Sequence, residues 1–312
     1  IIYVTNLRRD DIMSMDMLKK CRLCPRNCSI NRLEDEKGFC NAGRHIKTAR
    51  ADLYFFEEPC ISGKNGSGAI FFSNCSLRCV FCQNSSISSK GFGKEITINR
   101  LSEIMLELQK KGANNINLIS PTHYVPQIIE SIKIAKKDGL KVPIVYNSSG
   151  YENIETIKSL KGLVDIFLPD FKYFDDKFAI KYSNAPDYFA SAKNAIGEMA
   201  AQAGPPEFDE NGMMKKGVII RHLMIPGLLS DSKKIIEYIY KTFGDSVYIS
   251  IMNQFTPFYK CSEYPEINRK LNSRSYNYIV DYAISLGIKN AFIQEGKTCS
   301  ESFIPCFDLK GI

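Results

Sequence analysis

The stretch Cys75-Ser-Leu-Arg-Cys79-Val-Phe-Cys82 constrains this chain more than any other. It follows an apolar run, Ala69-Ile-Phe-Phe72, and the pair Ser73-Asn74. The pattern reads as a strand running into a loop that carries three thiols. Thiolates are soft ligands suited to iron–sulfur clusters. A four-iron cluster that only carries electrons takes four protein thiolates. Three leave one iron open, and an open coordination position marks a metal site that binds a substrate. The alternatives are a zinc knuckle or three free thiols, since a free cysteine often serves as a small buried apolar residue. The spacing, the aromatic Phe81 within it and the strand before it weigh against both.

A second cluster precedes the first. Cys21-Arg-Leu-Cys24-Pro-Arg-Asn-Cys28 is followed by Gly38-Phe39-Cys40, so seven of the eleven cysteines fall into two tight groups. No secretory segment opens the chain, and such spacing without one favours metal over disulfides. The four thiolates Cys21, Cys24, Cys28 and Cys40 can close a tetrahedral site for zinc or hold a second iron–sulfur cluster, as a structural staple or an electron relay. His45 lies close by, but four thiolates suffice without it. An oxygen-sensitive cluster needs a reducing compartment, so a cytoplasmic location is expected. No apolar run approaches the roughly 18 residues of a membrane span. The net charge of +7 is spread along the chain, without the dense block that would indicate nucleic acid.

From residue 69 onward, apolar runs alternate with helical stripes. Short strands are expected at 69–72, 117–120, 143–147, 164–168, 218–224, 247–252 and 290–294. Between them, stripes such as Leu101, Ile104, Met105 and Leu108 indicate helices. Strands alternating with helices imply right-handed βαβ units and a parallel sheet, here a barrel or part of one. Residues 1–58 read as a cysteine-rich metal-binding segment, 59–295 as the barrel and 296–312 as a tail. Residues 48–68, with Glu57-Glu58-Pro59 and several glycines, read as a connector. The glycines there fail as a phosphate loop because no strand leads into them and no helix follows. Cys60, Cys299 and Cys306 lack metal-like spacing.

In such a barrel the carboxyl ends of the strands carry the chemistry. Those ends bear Asn84 after the cysteine loop, then Ser120-Pro121-Thr122-His123, Asn147 with Gly150, Asp170 with Lys172, Arg221-His222, and Asn253-Gln254-Phe255. An Arg or Lys at that depth needs an anionic partner, and a carboxylate is the natural one. His123 and His222 are equally well read as proton donors or as hydrogen-bonded structural residues. Tyr124, Tyr151, Tyr173 and Tyr259 are pocket candidates for which packing is the default.

On the cysteine triplet and Phe81, the chain resembles radical SAM enzymes. That resemblance implies an α/β fold with a partial (β/α)6 barrel. It also implies a [4Fe-4S] cluster on Cys75, Cys79 and Cys82, and S-adenosylmethionine (SAM) chelated to the open iron, with Phe81 near the adenine. Reductive cleavage of SAM to methionine and a 5′-deoxyadenosyl radical is the implied chemistry. Gly66-x-Gly68, the aromatic strand and Cys-Gln-Asn84 sharpen the likeness to activating enzymes of glycyl radical enzymes, the pyruvate formate-lyase activating enzyme group. Asn147 with Gly150, Asp170 with Lys172, and Arg221 with Pro226-Gly227 stand where that group has Asn-Gly, Asp-Leu-Lys and Arg-x4-Pro-Gly. The match makes Asn84, Asn147 and Lys172 candidates for the ribose and methionine ends of SAM, and Arg221 for the methionine carboxylate or the substrate.

There are two departures. The group ends its second strand in a Gly-Gly-Glu type turn that receives the methionine amino group. Here Pro121 removes a donor, leaving backbone carbonyls and the Ser120 or Thr122 hydroxyls for that role. The four early cysteines are likewise foreign to the group. The expected reaction is hydrogen abstraction from a substrate the sequence does not name, a residue of a partner protein as in glycyl radical enzyme activation being one candidate, with an electron donor such as flavodoxin or ferredoxin. A small-molecule substrate is the first alternative. A zinc-bearing nucleic-acid or protein-binding module without catalysis is the second.

Overall fold

The computed structural model of the chain describes residues 14–294 and 305–312. Its strands are β1 (Ile46–Tyr54), β2 (Ser67–Phe72), β3 (Lys94–Ile96), β4 (Ile116–Ile119), β5 (Ile144–Ser148), β6 (Ile166–Pro169), β7 (Glu207–Phe208), β8 (Met214–Leu223), β9 (Tyr248–Met252) and β10 (Ala291–Ile293). The helices are α1 (Pro59–Ser62), α2 (Ser85–Ser88), α3 (Ile98–Lys110), α4 (Val125–Lys137), α5 (Ile154–Lys158), α6 (Asp176–Ser183), α7 (Tyr188–Ala203), α8 (Leu229–Phe243) and α9 (Ser273–Ser285). One sheet runs β10-β9-β8-β6-β5-β4-β2-β1-β3, with the short β7 beside β8. From β2 to β10 along this path every pairing is parallel; β1 and β3 are antiparallel. No ladder among the described residues joins β3 to β10, so the barrel is partial. Every strand expected from the apolar runs is present.

Alternation along the strands separates two faces. Ile70, Phe72, Leu118, Tyr146 and Phe167 face outward, into one core with the stripes of α3, α4, α7, α8 and α9. The stripe of α3 comprises Leu101, Ile104, Met105 and Leu108, and Thr97 caps the helix by accepting from the Arg100 amide at 3.0 Å. The inner face starts apolar, with Ala69, Phe71 and Ile119 on one side and Val145, Ile166, Leu168 and Ile219 on the other. It becomes polar toward the carboxyl ends, where Asn147 and Arg221 stand.

Two stretches differ from the sequence reading. Residues 46–54, taken in part as a connector, form β1, which pairs Tyr54 with Ser67 and Ala51 with Ile70. A bulge between Thr48 and Arg50 buries Ala49 with Ala69 and Phe71 and Ala51 with Ile70, while Arg50 and Asp52 pair with each other at 3.1 Å. The tail also joins the sheet edge. The Leu309 amide donates to the Ala49 carbonyl, and the Ala51 amide to the Lys310 carbonyl. Arg50 bonds Asp308 at 2.8 Å, and the Phe307 ring packs edge-on against Phe71. Cys306 is exposed and Cys60 buried; Cys299 lies outside the described residues. No helix among the described residues is long and apolar enough to cross a membrane.

Candidate active site

Register explains why residues far apart in sequence meet. Phe71 lies beside Ile119, and Ile119 beside Asn147. One step past β6, Asp170 bridges to Arg221. The carboxyl ends thus present Asn147, Asp170 and Arg221 along one rim, next to the loop that leaves β2 with the three cysteines. They open on a cavity of about 240 Å³, whose lining includes Cys79, Phe81, Cys82, Asn84, Lys172 and Gln254. Phe71, Ile119, Leu223, Met252 and Phe255 supply its apolar walls. Phe81 packs against Phe255 with centroids 5.5 Å apart.

The loop is built to favour sulfur in its charged form once metal is present. Ser183 donates to Cys79 Sγ at 3.0 Å, the Leu77 amide to Cys75 Sγ at 3.4 Å, and Ser88 Oγ lies 3.1 Å from Cys82 Sγ. Burial first, and the neighbouring thiols after it, push Cys75 up to about 12 and Cys79 to about 11 against the nearby donors. Without metal these groups are therefore neutral thiols at pH 7, and binding a metal must release their protons. Among the described residues no three His, Cys, Asp or Glu side chains already converge as the ligands of one ion. A four-iron cluster does not require that, because each thiolate takes its own iron. The donor set therefore fits a cluster with one open iron.

The charged groups form a closed network. Arg221 Nε donates to Asp170 at 3.1 Å, its Nη1 to Glu57 at 3.1 Å and its Nη2 to Asn147 Oδ1 at 2.5 Å. Lys172 pairs with Asp170 at 2.5 Å. Asn117 and Asn147 donate to the other oxygen of Glu57 at 3.0 and 3.2 Å. Burial acts against the Asp170 carboxylate, yet Lys172 and Arg221 together hold it below its ordinary range. Burial likewise acts against the Lys172 ammonium, and Asp170 and Cys79 outweigh it and raise its pKa. The sequence reading left Arg221 for a ligand carboxylate; here all three of its nitrogens already serve protein groups. Lys172 uses one of its three donors on Asp170 and faces the cysteine loop with the rest. Thr256 adds a buried hydroxyl on the cavity wall with no partner among the described residues.

Glu57 escaped the sequence reading. It enters the barrel from the turn after β1 and is nearly buried. Burial raises its pKa, and Arg221 opposes that shift. Asn117, Asn147 and Arg221 all donate to its two oxygens, and each of these bonds favours the carboxylate. Its only mark in the sequence was an acid following an unrecognised strand.

Ser120 and Thr122 do not line the cavity. Ser120 adopts a left-handed backbone and donates its amide to the Asn147 carbonyl. Thr122 turns inward and donates to Glu152 at 2.8 Å. His123 lies against the Tyr124 ring with Nε2 2.8 Å from the Ser73 carbonyl, and burial lowers its pKa to about 3. Burial likewise lowers His222 to about 4, with Nδ1 2.8 Å from the Phe171 carbonyl. Both rings are neutral structural members. Tyr124, Tyr151 and Tyr173 are buried in packing, and Tyr259 is exposed.

Comparison with known proteins agrees with this geometry. The chain is 31% identical over 270 residues to a Methanocaldococcus jannaschii protein designated Uncharacterized protein MJ0674, covering 83% of this chain and 72% of that protein. It is 28% identical over 186 residues to the pyruvate formate-lyase-activating enzyme of Clostridium pasteurianum, covering 57% of this chain and 69% of that one. Among solved structures, Streptococcus suis SuiB bound to S-adenosylmethionine shares the fold, with a TM-score of 0.50 and 15% identity. The match takes in 72% of this chain and 49% of SuiB, so this chain spans about half of that protein. Residues 69–239, more than half of the chain, match the Radical SAM superfamily, and the chain belongs to it.

Proposed function

We propose that this chain reductively cleaves SAM at a [4Fe-4S] cluster held by Cys75, Cys79 and Cys82, and abstracts a hydrogen atom from a residue of a partner protein. The superfamily implies both the cluster and SAM. The observation that carries the reading is the single cavity on which Cys79 and Cys82 open together with Asn84, Asn147, Asp170, Lys172 and Arg221. When bound, the cluster supplies an electron and SAM a sulfonium whose reductive cleavage gives a hydrogen-abstracting species.

The chain's own residues do the rest. Lys172 offers its remaining donors to a carboxylate, and Asp170 holds that ammonium in place. Asn84, Asn147 and the Thr256 hydroxyl offer hydrogen bonds to ribose and amino groups. Phe81 and Phe255 offer an apolar wall to a flat base. The apolar walls exclude water, which protects reactive species from side reactions. Arg221, saturated by Glu57, Asp170 and Asn147, acts as the positioning residue that locks the rim. The likeness to the Clostridium pasteurianum activating enzyme supports a protein substrate. A small electron-transfer protein such as flavodoxin or ferredoxin is proposed as donor, in the reducing cytoplasm that an oxygen-sensitive cluster needs.

The test is an anaerobic assay of the dithionite-reduced, iron-loaded protein for 5′-deoxyadenosine. Product is expected from the native chain and none from Cys75→Ala, Cys79→Ala or Cys82→Ala, each of which should lose the cluster. Full activity in a chain lacking all three thiols would overturn the reading.

A further inference from the structure

We propose that Cys21, Cys24, Cys28 and Cys40 hold a second, thiolate-bound metal centre, that the buried Arg32 neutralises its charge, and that this centre positions the loop carrying Cys75, Cys79 and Cys82. The last clause rests on the function proposed above; the centre itself does not.

All four thiols border one small gap of about 10 Å³, together with Arg32 and His123. None is in a disulfide. The local core of the segment around them is small, Leu18, Cys21 and Leu23 with Met15, Met17, Ile30 and Leu33 against them, and among the described residues its regular structure is a helical stretch at 14–16 and a 3-10 turn at Arg32–Glu34. Asn27, Ser29, Asp35 and Asn41 all take left-handed backbone, which costs free energy at residues other than glycine. A segment this irregular, with so small a core, needs a cross-link.

Arg32 supplies the charge argument. It is 0% exposed. Its bonds go to the Gly43 carbonyl at 2.8 and 3.2 Å and the His123 carbonyl at 2.5 Å, and Nη1 lies 3.9 Å from Cys21 Sγ. No carboxylate pairs with it among the described residues. A guanidinium cannot shed its proton, and a buried charge needs an opposite one. Neutral thiols provide none. Four thiolates around a divalent ion, or around a cluster core of charge 2+, leave two negative charges beside Arg32. The shared chemistry is a tetrathiolate centre. A single ion would draw the sulfurs together, whereas a cluster would take one sulfur per iron.

The coupling to the other loop is an exchange of arginines. Arg26, between Cys24 and Cys28, donates to the Ser76 carbonyl at 3.1 Å and to the Asn184 carbonyl. Arg78, between Cys75 and Cys79, donates to the Cys75 carbonyl at 2.7 Å and to the carbonyl of Phe39, the neighbour of Cys40. Both guanidiniums lie over the Phe39 ring, at 3.6 and 4.6 Å. Each cysteine loop therefore fixes the backbone of the other.

Metal analysis of an anaerobically prepared Cys75→Ser/Cys79→Ser/Cys82→Ser chain tests the centre without the first cluster. Retained metal is expected, and metal content with visible absorbance tells zinc from iron–sulfur; either upholds the proposal. A metal-free triple variant, together with a native chain whose metal content Cys24→Ser/Cys40→Ser leaves unchanged, overturns it. Arg32→Met should release this metal to a chelator at least about tenfold more readily, and Arg32→Lys should restore most of the loss. Unchanged retention overturns the role of Arg32. In Cys24→Ser/Cys40→Ser, iron of the first cluster should leave to a chelator several-fold faster, and an unchanged rate overturns the positioning role. A native chain that forms no 5′-deoxyadenosine while the triple variant keeps metal would refute the proposed function and leave the centre standing.

Discussion

Asp170 sits between two cations, and removing either one has a different result. Arg221→Met leaves Glu57 without a cation inside the barrel, so the metal-free protein is expected to lose about 3–5 kcal/mol in urea unfolding. Lys172→Met leaves Asp170 still paired with Arg221 at 3.1 Å, so its unfolding should change much less. Its loss should appear instead in SAM affinity, on the order of 2–5 kcal/mol, because a ligand carboxylate goes unpaired. The reverse order, with Lys172→Met the less stable of the two, would make Lys172 a structural member of the network. Glu152 offers a test by pH. Burial raises its pKa to about 7, against hydrogen bonds from Thr122 and Ser148. A carboxyl raised in the folded state contributes stability that is complete below its unfolded value near 4.5. That stability is lost as pH rises through 7. Glu152→Gln should therefore match the native chain at pH 4.5 and exceed it at pH 8 by about 2–3 kcal/mol. Equal stability at both pH values would show Glu152 to be ionised without cost.

The elements legible in the sequence were those with one periodicity and apolar content. The apolar run at 69–72 indicated a strand and the stripe Leu101, Ile104, Met105 and Leu108 a helix face; the strand is buried on both sides and the stripe lies in the core. Strand β1 was hidden because alanines fill its buried middle positions and Arg50 and Asp52 between them read as a polar connector. The partners that explain those two charges, Asp308, Lys310 and Lys111, lie far away in the chain. The turn after β5 carries a different kind of constraint. Gly150 has φ +74°, and a Cβ there would strike the Asp170 carbonyl, which is also held by the Tyr188 hydroxyl at 2.9 Å. Gly150→Ala must strain that backbone and push the Asp170 turn away from β5. The expected result is a melting temperature lower by several degrees and weakened SAM binding, read by calorimetry and equilibrium dialysis. An unshifted variant would mean that the turn yields freely.

At the scale of the molecule, the site divides by how far apart its partners lie in the chain. The thiols were legible because three ligands fall within eight residues. The rim residues were legible because strand ends announce them. Glu57 was not, since its meaning lies with Arg221, 164 residues away. Contacts of that span are stated by the fold and by nothing local. The tail is the extreme case. Pro305 lines the same cavity as Cys79 and Cys82, and Phe307 rests on Phe71 behind it. Residues from distant parts of the chain thus wall one cavity. Phe307→Ala should loosen that wall, seen as faster loss of cluster iron to a chelator; an unchanged rate would mean that the tail does not shield the site. With two backbone bonds to β1 and a ring on Phe71, residues 305–312 tie the far side of the sheet to the reacting site, so a change made there is felt at the thiols.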